Sequence, residues 1–256
     1  MINEMQKWLQ TQDLGKNCFC FEALDSTSSY IRRMWQLLPH GHTVIAEEQH
    51  SGRGRQGKSF YSPKGTGLYF SFLLKDEKYI NDPLFTVKMS YAVCLAVDEL
   101  TGTQSVKIKW VNDIYAEDKK IAGILCEALG ENGKQGIIVG VGVNFSVDKG
   151  EIPSELKGKI GSLRDVTKKK QSREKLCALI LNQVEKLYTE GISDKELLAD
   201  YRKRSAVLGR EIKVLKDNEE LRAAALDIAP DGGLLVRYES GITEKLTAGE
   251  ISIAVG

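Results

Sequence analysis

A chain of 256 residues with 42% hydrophobic content can form one large domain, or a main domain with a small appendage. No apolar run approaches the roughly 18 residues that a membrane-spanning helix needs, and a net charge of +1 gives no general attraction to nucleic acid or membranes. The five cysteines are scattered and lack metal-ligand or redox spacing. We therefore expect a reduced, cytoplasmic protein that binds neither nucleic acid nor a membrane.

The first part of the chain predicts short elements around a polar helix start. The hydrophobic pattern indicates a helix at Met1–Thr11 and strands at Cys18–Leu24 and Thr43–Glu47. Between the two strands, Ser26 and Thr27 can cap a helix, and capping alone is the simpler interpretation of their hydroxyls. The two roles are compatible, because hydroxyls and free amides at a helix start also suit a polar ligand group.

The segment Gly52–Ser59 alternates three glycines with the cations Arg53, Arg55 and Lys58. Its glycines let backbone amides approach a ligand, and its cations suit phosphate and carboxylate oxygens, although a solvated basic turn is the alternative. The segment also satisfies the G-x-x-x-x-G-K-[ST] pattern of phosphate loops. That pattern requires a helix after the loop, and Pro63 with two further glycines argues against one, so we reject that interpretation.

A strand at Leu68–Leu74 and a helix at Leu84–Leu100 are predicted next. After them, a hairpin would bring Asn112, Asp113 and Lys120 near one another at one end of a sheet. A solvated turn is the usual fate of paired lysines, and it is the alternative interpretation of this lysine. The three polar side chains nevertheless form a second candidate cluster.

The rest of the chain predicts a glycine-lined strand, two helices and a small β-rich unit. In Gly140-x-Gly142-x-Asn144 the glycines leave one strand face free for a flat ligand or another backbone. Helices are predicted at Ser172–Glu190 and Ser193–Arg204. After them, short strand patterns separated by turns predict a small β-barrel. Its strands are predicted at Glu211–Leu215, Leu221–Ile228, Leu234–Tyr238 and Ile242–Leu246.

Five motifs in series resemble those of the biotin–protein ligases. They are Leu24-Asp25-Ser26-Thr27, Gln49-x-x-Gly52-Arg53-Gly54-Arg55-x-Gly57, Lys109-Trp110-x-Asn112-Asp113, Lys120-Ile121-Ala122-Gly123-Ile124-Leu125 and Gly140-Val141-Gly142-Val143-Asn144. The likeness resumes at Gly249-Glu250-Ile251-Ser252. Each motif alone is weak, but five at these spacings are highly specific. Two positions depart from the family pattern: Val111 stands where proline is frequent, and Phe60 where tryptophan is frequent.

The resemblance implies an α+β fold with a class II synthetase-like mixed sheet flanked by helices, and a small C-terminal SH3-like β-barrel. We expect a catalytic domain at residues 1–207 and the barrel at 208–256. With fewer than 50 residues, the barrel is expected to pack on the catalytic domain rather than to stand alone.

The resemblance also implies a two-step reaction. ATP, accompanied by Mg²⁺, activates biotin as biotinyl-5′-AMP, and a lysine of a biotin carboxyl carrier protein, from acetyl-CoA carboxylase or a related carboxylase, then accepts the biotin. The expected catalytic residues are Lys120, Arg55 and Asp113. Those expected to bind biotin are Ser26, Thr27, Ser28, Gln49, Arg53, Gly54, Arg55, Lys120 and Gly123. Those expected to bind ATP are Arg53, Arg55, Lys58, Phe60, Asn112, Lys120 and Asn144, and no residue is assigned to a metal.

Two alternatives belong to other classes. A lipoate– or octanoate–protein ligase would share the architecture and the adenylation chemistry. Some relatives are also repressors with an N-terminal DNA-binding domain, but only 23 residues precede Leu24 here, so we expect no transcriptional repressor function. The sequence leaves open whether the protein is a monomer or a homodimer.

Overall fold

A computed structural model describes residues 1–147, 152–167, 169–216 and 219–253. Its main element is a seven-stranded mixed sheet. The strands are β1 (Cys18–Phe21), β2 (Thr43–Ala46), β3 (Gly67–Leu74), β4 (Lys107–Lys109), β5 (Asp113–Ala116), β6 (Lys119–Glu131) and β7 (Lys134–Asn144). They lie in the order β1-β2-β3-β7-β6-β5-β4, with β1 and β2 parallel and the other neighbours antiparallel.

Helices cover both faces of this sheet. The helix α2 (Thr27–Met34) packs on β2, β3 and β7, whereas α4 (Phe85–Thr101) and α6 (Arg173–Thr189) pack on each other against the opposite face. Side chains alternate along β3, so Leu73 joins the small core under α2 and Phe72 joins the main core under α4 and α6. The sheet is therefore buried on both sides. The other helices are α1 (Ile2–Gln6), α3 (Glu77–Ile80), α5 (Leu163–Val166) and α7 (Asp194–Lys203).

The C-terminal part forms a second, five-stranded antiparallel sheet. Its strands are β8 (Glu211–Lys216), β9 (Glu219–Ile228), β10 (Leu234–Tyr238), β11 (Thr243–Leu246) and β12 (Glu250–Ile253), in the order β11-β10-β9-β8-β12. The Trp110 indole N–H donates to the Gly232 carbonyl at 2.9 Å, which fixes a turn of this sheet against the larger one. The small sheet thus reaches the Lys109–Asp113 motif.

The linker between the two sheets pairs with the outer strand of the larger one. Ile108 N donates to the Arg204 carbonyl at 2.7 Å, and Ala206 N donates to the Ile108 carbonyl at 2.8 Å. These two bonds form a parallel bridge between Ile108 and Ser205. The edge of β4 is covered at this point by the chain that leads into β8.

Most predicted elements are confirmed with shifted ends, and the N-terminal helix is wrong in length. It stops at Gln6 rather than Thr11, because the later amides bond to α6 instead of continuing the helix. Gln10 N donates to Asn182 Oδ1 at 2.8 Å, and the amides of Gln12 and Asp13 donate to the Glu185 carboxylate. The strand β12 and the short helices α3 and α5 were not predicted.

All five cysteines are free. Burial raises the pKa of both Cys94 and Cys126 to about 12, so neither thiol ionises readily at neutral pH. In the ranges given above, none of the helices combines the length and the hydrophobicity that crossing a bilayer requires. The cytoplasmic location stays a prediction.

Candidate active site

A pocket opens on the face of the large sheet that carries α2. Its walls come from the start of α2, the loop Gly52–Ser59, the Lys109–Asp113 motif, β6 and β7, and residues Gly249–Ile251 of the small sheet. Every residue predicted to act in catalysis or binding lines this pocket, with the exception of Asn144. The structure therefore brings together motifs that lie more than a hundred positions apart in the chain.

One wall is a buried network of hydroxyl and amide groups. Thr27 donates to Gln49 Oε1 through its backbone N at 2.9 Å and through Oγ1 at 3.1 Å. Ser71 Oγ lies 2.7 Å from Thr27 Oγ1 and 2.9 Å from Ser28 Oγ. Ser26 caps α2 by accepting from the Ser29 amide, so capping is confirmed for Ser26, whereas the Thr27 hydroxyl contacts Gln49 and Ser71 instead. The wall presents fixed donors and acceptors at the start of a helix.

The loop Gly52–Ser59 is tied to three different parts of the protein by its cations. Arg53 pairs with Glu127 at 2.8 Å, Arg55 Nη1 donates to Asn112 Oδ1 at 3.1 Å, and Lys58 pairs with Glu250. Residues 58–66 contain no helix, so the rejection of a phosphate loop is confirmed. The loop instead folds over the pocket as a cover rich in positive charge.

Lys120 and Asp113 form an ion pair inside the pocket. The Lys120 Nζ lies 2.7 Å from Asp113 Oδ1, although the approach lacks the angle of a hydrogen bond. The same Nζ lies 5.9 Å from the centre of the Phe60 ring. Asp113 and Gly123 face each other in the β5–β6 register, which places the lysine side chain over a strand position without a Cβ.

Lys109, for which sequence analysis predicted no role, also lines the pocket. Burial lowers its pKa, and the neighbouring Asp113 carboxylate opposes that shift. Lys109 pairs directly with Asp113 across the β4–β5 register. These two residues lie at the two ends of the Lys109–Asp113 motif. A predicted hairpin that turns within this motif would have placed Lys109 opposite Asp113. Together with Arg55, Lys58 and Lys120 it makes the pocket strongly cationic.

Ser71 and the segment Gly249–Ile251 are two further pocket-lining features without a predicted role. Ser71 had a detectable signal, because it is the one hydroxyl-bearing aliphatic side chain within the apolar run Leu68–Leu74. A fully buried serine at such a position needs polar partners. The only sequence signal in the segment Gly249–Ile251 was its resemblance to a family motif. That resemblance does not indicate how close the segment lies to the other motifs.

The two asparagines predicted to bind ATP occupy different places. Asn112 lines the pocket and connects Arg55 to β6, since its Nδ2 donates to the Ile124 carbonyl at 2.8 Å. Asn144 is buried behind the wall, where its Nδ2 donates to the Gly161 carbonyl at 3.1 Å and to that of Lys120 at 3.4 Å. The structure thus places Asn144 against the backbone of the lysine rather than on the pocket surface.

The glycines of β6 and β7 leave a flat slot under the Phe60 ring. A Cβ at Gly142 would lie 2.5 Å from Phe60 Cε1, and one at Gly123 would lie 3.4 Å from Phe60 Cε2. A Cβ at Gly140 would lie 2.6 Å from Ser28 Oγ. These strand positions allow the ring and the hydroxyl network to approach the sheet closely, as the glycine pattern predicts.

Comparisons with known proteins agree with this arrangement. Residues 20–144 match the biotin/lipoate A/B protein ligase family, and residues 207–253 match the biotin protein ligase C-terminal domain. The bifunctional ligase/repressor BirA of Escherichia coli is 29% identical over 93% of this chain and 74% of its own length. The biotin–[acetyl-CoA-carboxylase] ligase of Mycobacterium tuberculosis is 27% identical over 82% of this chain and 78% of its own.

A solved structure resembles the whole fold. The biotin protein ligase of Aquifex aeolicus in complex with biotin and ATP has a TM-score of 0.80 and 30% identity, covering 94% of this chain and 100% of that one. Fold and pocket therefore define a protein ligase of the biotin/lipoate class. Within that class, the chain belongs to the biotin protein ligase family.

Proposed function

We propose that this protein is an ATP-dependent biotin–[acetyl-CoA-carboxylase] ligase, which activates biotin as biotinyl-5′-AMP and transfers it to a lysine of a biotin carboxyl carrier protein. The observation that carries the proposal is the pocket itself. It joins a buried donor–acceptor network to five cationic side chains within one cavity, those of Arg53, Arg55, Lys58, Lys109 and Lys120. A bicyclic urea with a carboxylate tail, next to a triphosphate, needs that combination.

The first step brings two anions together. A biotin carboxylate oxygen attacks the α-phosphorus of ATP, the bond from that phosphorus to the bridging oxygen breaks, and pyrophosphate leaves. Arg55, Lys58, Lys109 and Lys120 neutralise the negative charge that accumulates, and they do so more strongly when the loop excludes water. By the family resemblance, Lys120 is the group that bridges the biotin carboxylate and the α-phosphate, and its Nζ lies in the pocket, 2.7 Å from Asp113 Oδ1.

The hydroxyl network orients the other end of biotin. A ureido group offers two N–H donors and one carbonyl acceptor, so it needs partners of both kinds. Ser26, Thr27 and Gln49 supply hydroxyl and amide groups that the surrounding network holds in fixed positions. Ser28, Arg53, Gly54 and Gly123 complete the predicted biotin site, the last two through backbone that comes close to the ligand.

In the second step the acceptor amine attacks the acyl carbon of the adenylate. A nitrogen–carbon bond forms, the bond from the acyl carbon to the phosphate oxygen breaks, and AMP leaves with the electron pair. The amine must arrive without its extra proton, and Asp113 is the carboxylate placed to orient it or to receive that proton. Its pairing with Lys120 holds this carboxylate next to the reacting centre.

Magnesium fits the site as an ion carried by ATP. The described ranges contain no group of three or more His, Cys, Asp or Glu side chains that could hold a metal. Mg²⁺ bound to ATP takes most of its ligands from phosphate and water, with one or two carboxylates, and Asp113 and Glu250 are the carboxylates in the pocket. When bound, the ion supplies positive charge at the triphosphate.

The choice of cofactor tests the proposal directly. We expect ATP–pyrophosphate exchange to require biotin and to show no response to lipoate or octanoate, which lack the ureido ring. A site built for hydrogen bonding discriminates against such analogues by about 10⁴-fold. Exchange driven by lipoate or octanoate would show that the other class of ligase is the right one.

A substitution at Gly142 tests the slot under Phe60. We expect Gly142→Ala to push the ring away from the sheet and into the space beside Gly123, a predicted biotin contact, because overpacking costs about 1–3 kcal/mol, and to weaken biotin binding about tenfold or more. Calorimetric titration with biotin measures the change. Gly130→Ala on the neighbouring strand is the matched control, since a Cβ there meets nothing within 4 Å. Equal affinities in the two variants would mean that the ring does not border the biotin site.

Several finer assignments remain part of this proposal. The division into units at residues 1–207 and 208–256 is supported by the two separate sheets and by the linker between them. The absence of repressor function stays a prediction. Among its relatives, the BirA proteins carry the description of ligase and repressor together.

A further inference from the structure

The outer edge of β1 is open, whereas the linker covers the opposite edge of the large sheet at β4. Amides of β2 and of the residue that follows it donate to the carbonyls of Asn17 and Phe21, so the odd-numbered residues of β1 bond to β2. Because these groups alternate along a strand, the amides and carbonyls of Cys18 and Cys20 point away from the sheet. In the part of the chain that the structure describes, no other strand or loop pairs with them.

The side chains of β1 present a fixed apolar surface at this edge. The centre of the Phe19 ring lies 4.5 Å from that of His42 and 6.4 Å from that of Tyr30, yet Phe19 is 44% exposed. Helix α2 packs on β2, β3 and β7 and leaves β1 largely uncovered. Cys18–Phe21 also has no proline, charged side chain or bulge that would prevent another strand from pairing with it.

Charged residues stand three positions before and three positions after Phe19. Lys16 and Glu22 are both exposed. Glu22 pairs with Lys64, but both of these side chains are more than half exposed, so the pair stabilises the fold little. When two copies of this segment run antiparallel and are centred on Phe19, Lys16 of each copy lies opposite Glu22 of the other. The segment is therefore complementary to itself in charge.

We propose that β1 pairs with β1 of a second copy of this chain, so that the two large sheets join into one. Phe19 then lies on the two-fold axis, opposite the Phe19 of the second copy, in a non-hydrogen-bonded pair where side chains approach most closely. The outward amide and carbonyl of Cys18 exchange hydrogen bonds with those of Cys20 in the second copy. The pairing covers the exposed ring and completes the open edge in the same way on both sides.

The register favours a second copy over an unrelated strand. A shift of one residue would place Lys16 opposite Ala23, and it would pair an outward-facing residue with one that already bonds to β2. Only the register centred on Phe19 joins the outward groups and the opposite charges together. The inference goes beyond the proposed reaction, since Lys16, Phe19 and Glu22 do not line the catalytic pocket.

A charge exchange tests the register in the full chain. Sedimentation velocity from low to high micromolar concentration measures the dissociation constant of the dimer. We expect Lys16→Glu and Glu22→Lys each to raise this constant about tenfold, because each brings like charges together at two symmetric places. The double variant exchanges the two charges and should return the constant to within about threefold of the wild type. Lys64→Ala, which removes the partner of Glu22 within the same chain, is the control and should have no effect.

A carboxylate on the two-fold axis tests the central contact. We expect Phe19→Glu to raise the dissociation constant at least about a hundredfold, because it removes the buried ring and brings two anions together. Leu37→Glu is the matched control, since Leu37 is 79% exposed and lies beyond the end of α2. A wild type that stays monomeric throughout would overturn the proposal. So would dimers that persist unchanged in Phe19→Glu, or single charge variants that the double variant fails to restore.

Hydrogen exchange on the unmodified protein gives an independent readout. The amides of Cys18 and Cys20 should exchange more slowly as the protein concentration rises, whereas those of Phe19 and Phe21, which face β2, should be protected at every concentration. Equal exchange at Cys18 and Cys20 in dilute and concentrated protein would contradict the pairing. Protection that appears only when the carrier protein is added would assign this edge to a different chain and would also overturn the proposal.

Discussion

Replacing Lys120 with alanine is expected to slow formation of biotinyl-5′-AMP by roughly a hundred- to a thousandfold, which corresponds to about 3–4 kcal/mol of transition-state stabilisation. The physical reason is the position of its ammonium group. It lies 2.7 Å from Asp113 and 5.9 Å from the Phe60 ring centre, in the pocket that the loop Gly52–Ser59 lines. Charge placed there acts on the developing anion rather than on bulk solvent. Pyrophosphate exchange under saturating biotin measures the effect.

The adjacent lysine supplies the control for this experiment. Lys119 does not line the pocket, and its Cβ, which alanine retains, lies beside Gly161. Lys119→Ala is therefore expected to leave exchange nearly unchanged. Equal losses in the two variants would mean that both lysines belong to a solvated turn and that the catalytic assignment of Lys120 is wrong.

Replacing Arg55 with glycine is expected to release the adenylate rather than to prevent its formation. Biotinyl-5′-AMP is a reactive mixed anhydride, and the loop Gly52–Ser59 covers the pocket that holds it. Arg55 ties this loop to Asn112, and a hydrogen bond from a charged donor contributes about 1.5–3 kcal/mol. Its loss favours the open loop, so labelling of unrelated lysine-rich proteins should rise about ten- to a hundredfold.

The experiment incubates each variant with biotin, ATP, the carrier and an unrelated lysine-rich protein. Gln56→Gly is the matched control, because it adds a glycine to the same loop at a position with φ +52° and removes no cation. It should label only the carrier. A bystander that stays unlabelled while Arg55→Gly makes adenylate at the normal rate would show that the loop is not the cover.

The sequence motifs predicted the composition of the pocket well, because each motif is local. Ser26 and Thr27 follow one strand, and Asn112 and Asp113 lie at the start of another, so their elements could be assigned from hydrophobic periodicity. Thr27 and Gln49 meet through a hydrogen bond only 22 positions apart. For motifs of this kind, the local sequence is sufficient to predict which side chains lie close together.

Features that depend on contacts between distant segments could not be predicted. The ion pair between Lys58 and Glu250 joins positions 192 apart, and nothing in either neighbourhood indicates the other. Asn144 illustrates a different limit. Its motif suggests a ligand contact, but the segment around Gly161 lies against β6, and Asn144 Nδ2 donates to backbone carbonyls there instead. The end of α1 is likewise decided by side chains of α6, 172 positions away.

The bridge between Ile108 and Ser205 has a consequence for modular use of the enzyme. An uncovered strand edge recruits other chains and promotes aggregation, and here the linker covers the edge next to Lys109 and Trp110. A shortened version that ends before Ser205 would expose this strand edge, and we expect it to aggregate. Fusion proteins should therefore keep both sheets together and attach the other protein only at one of the two ends of this chain.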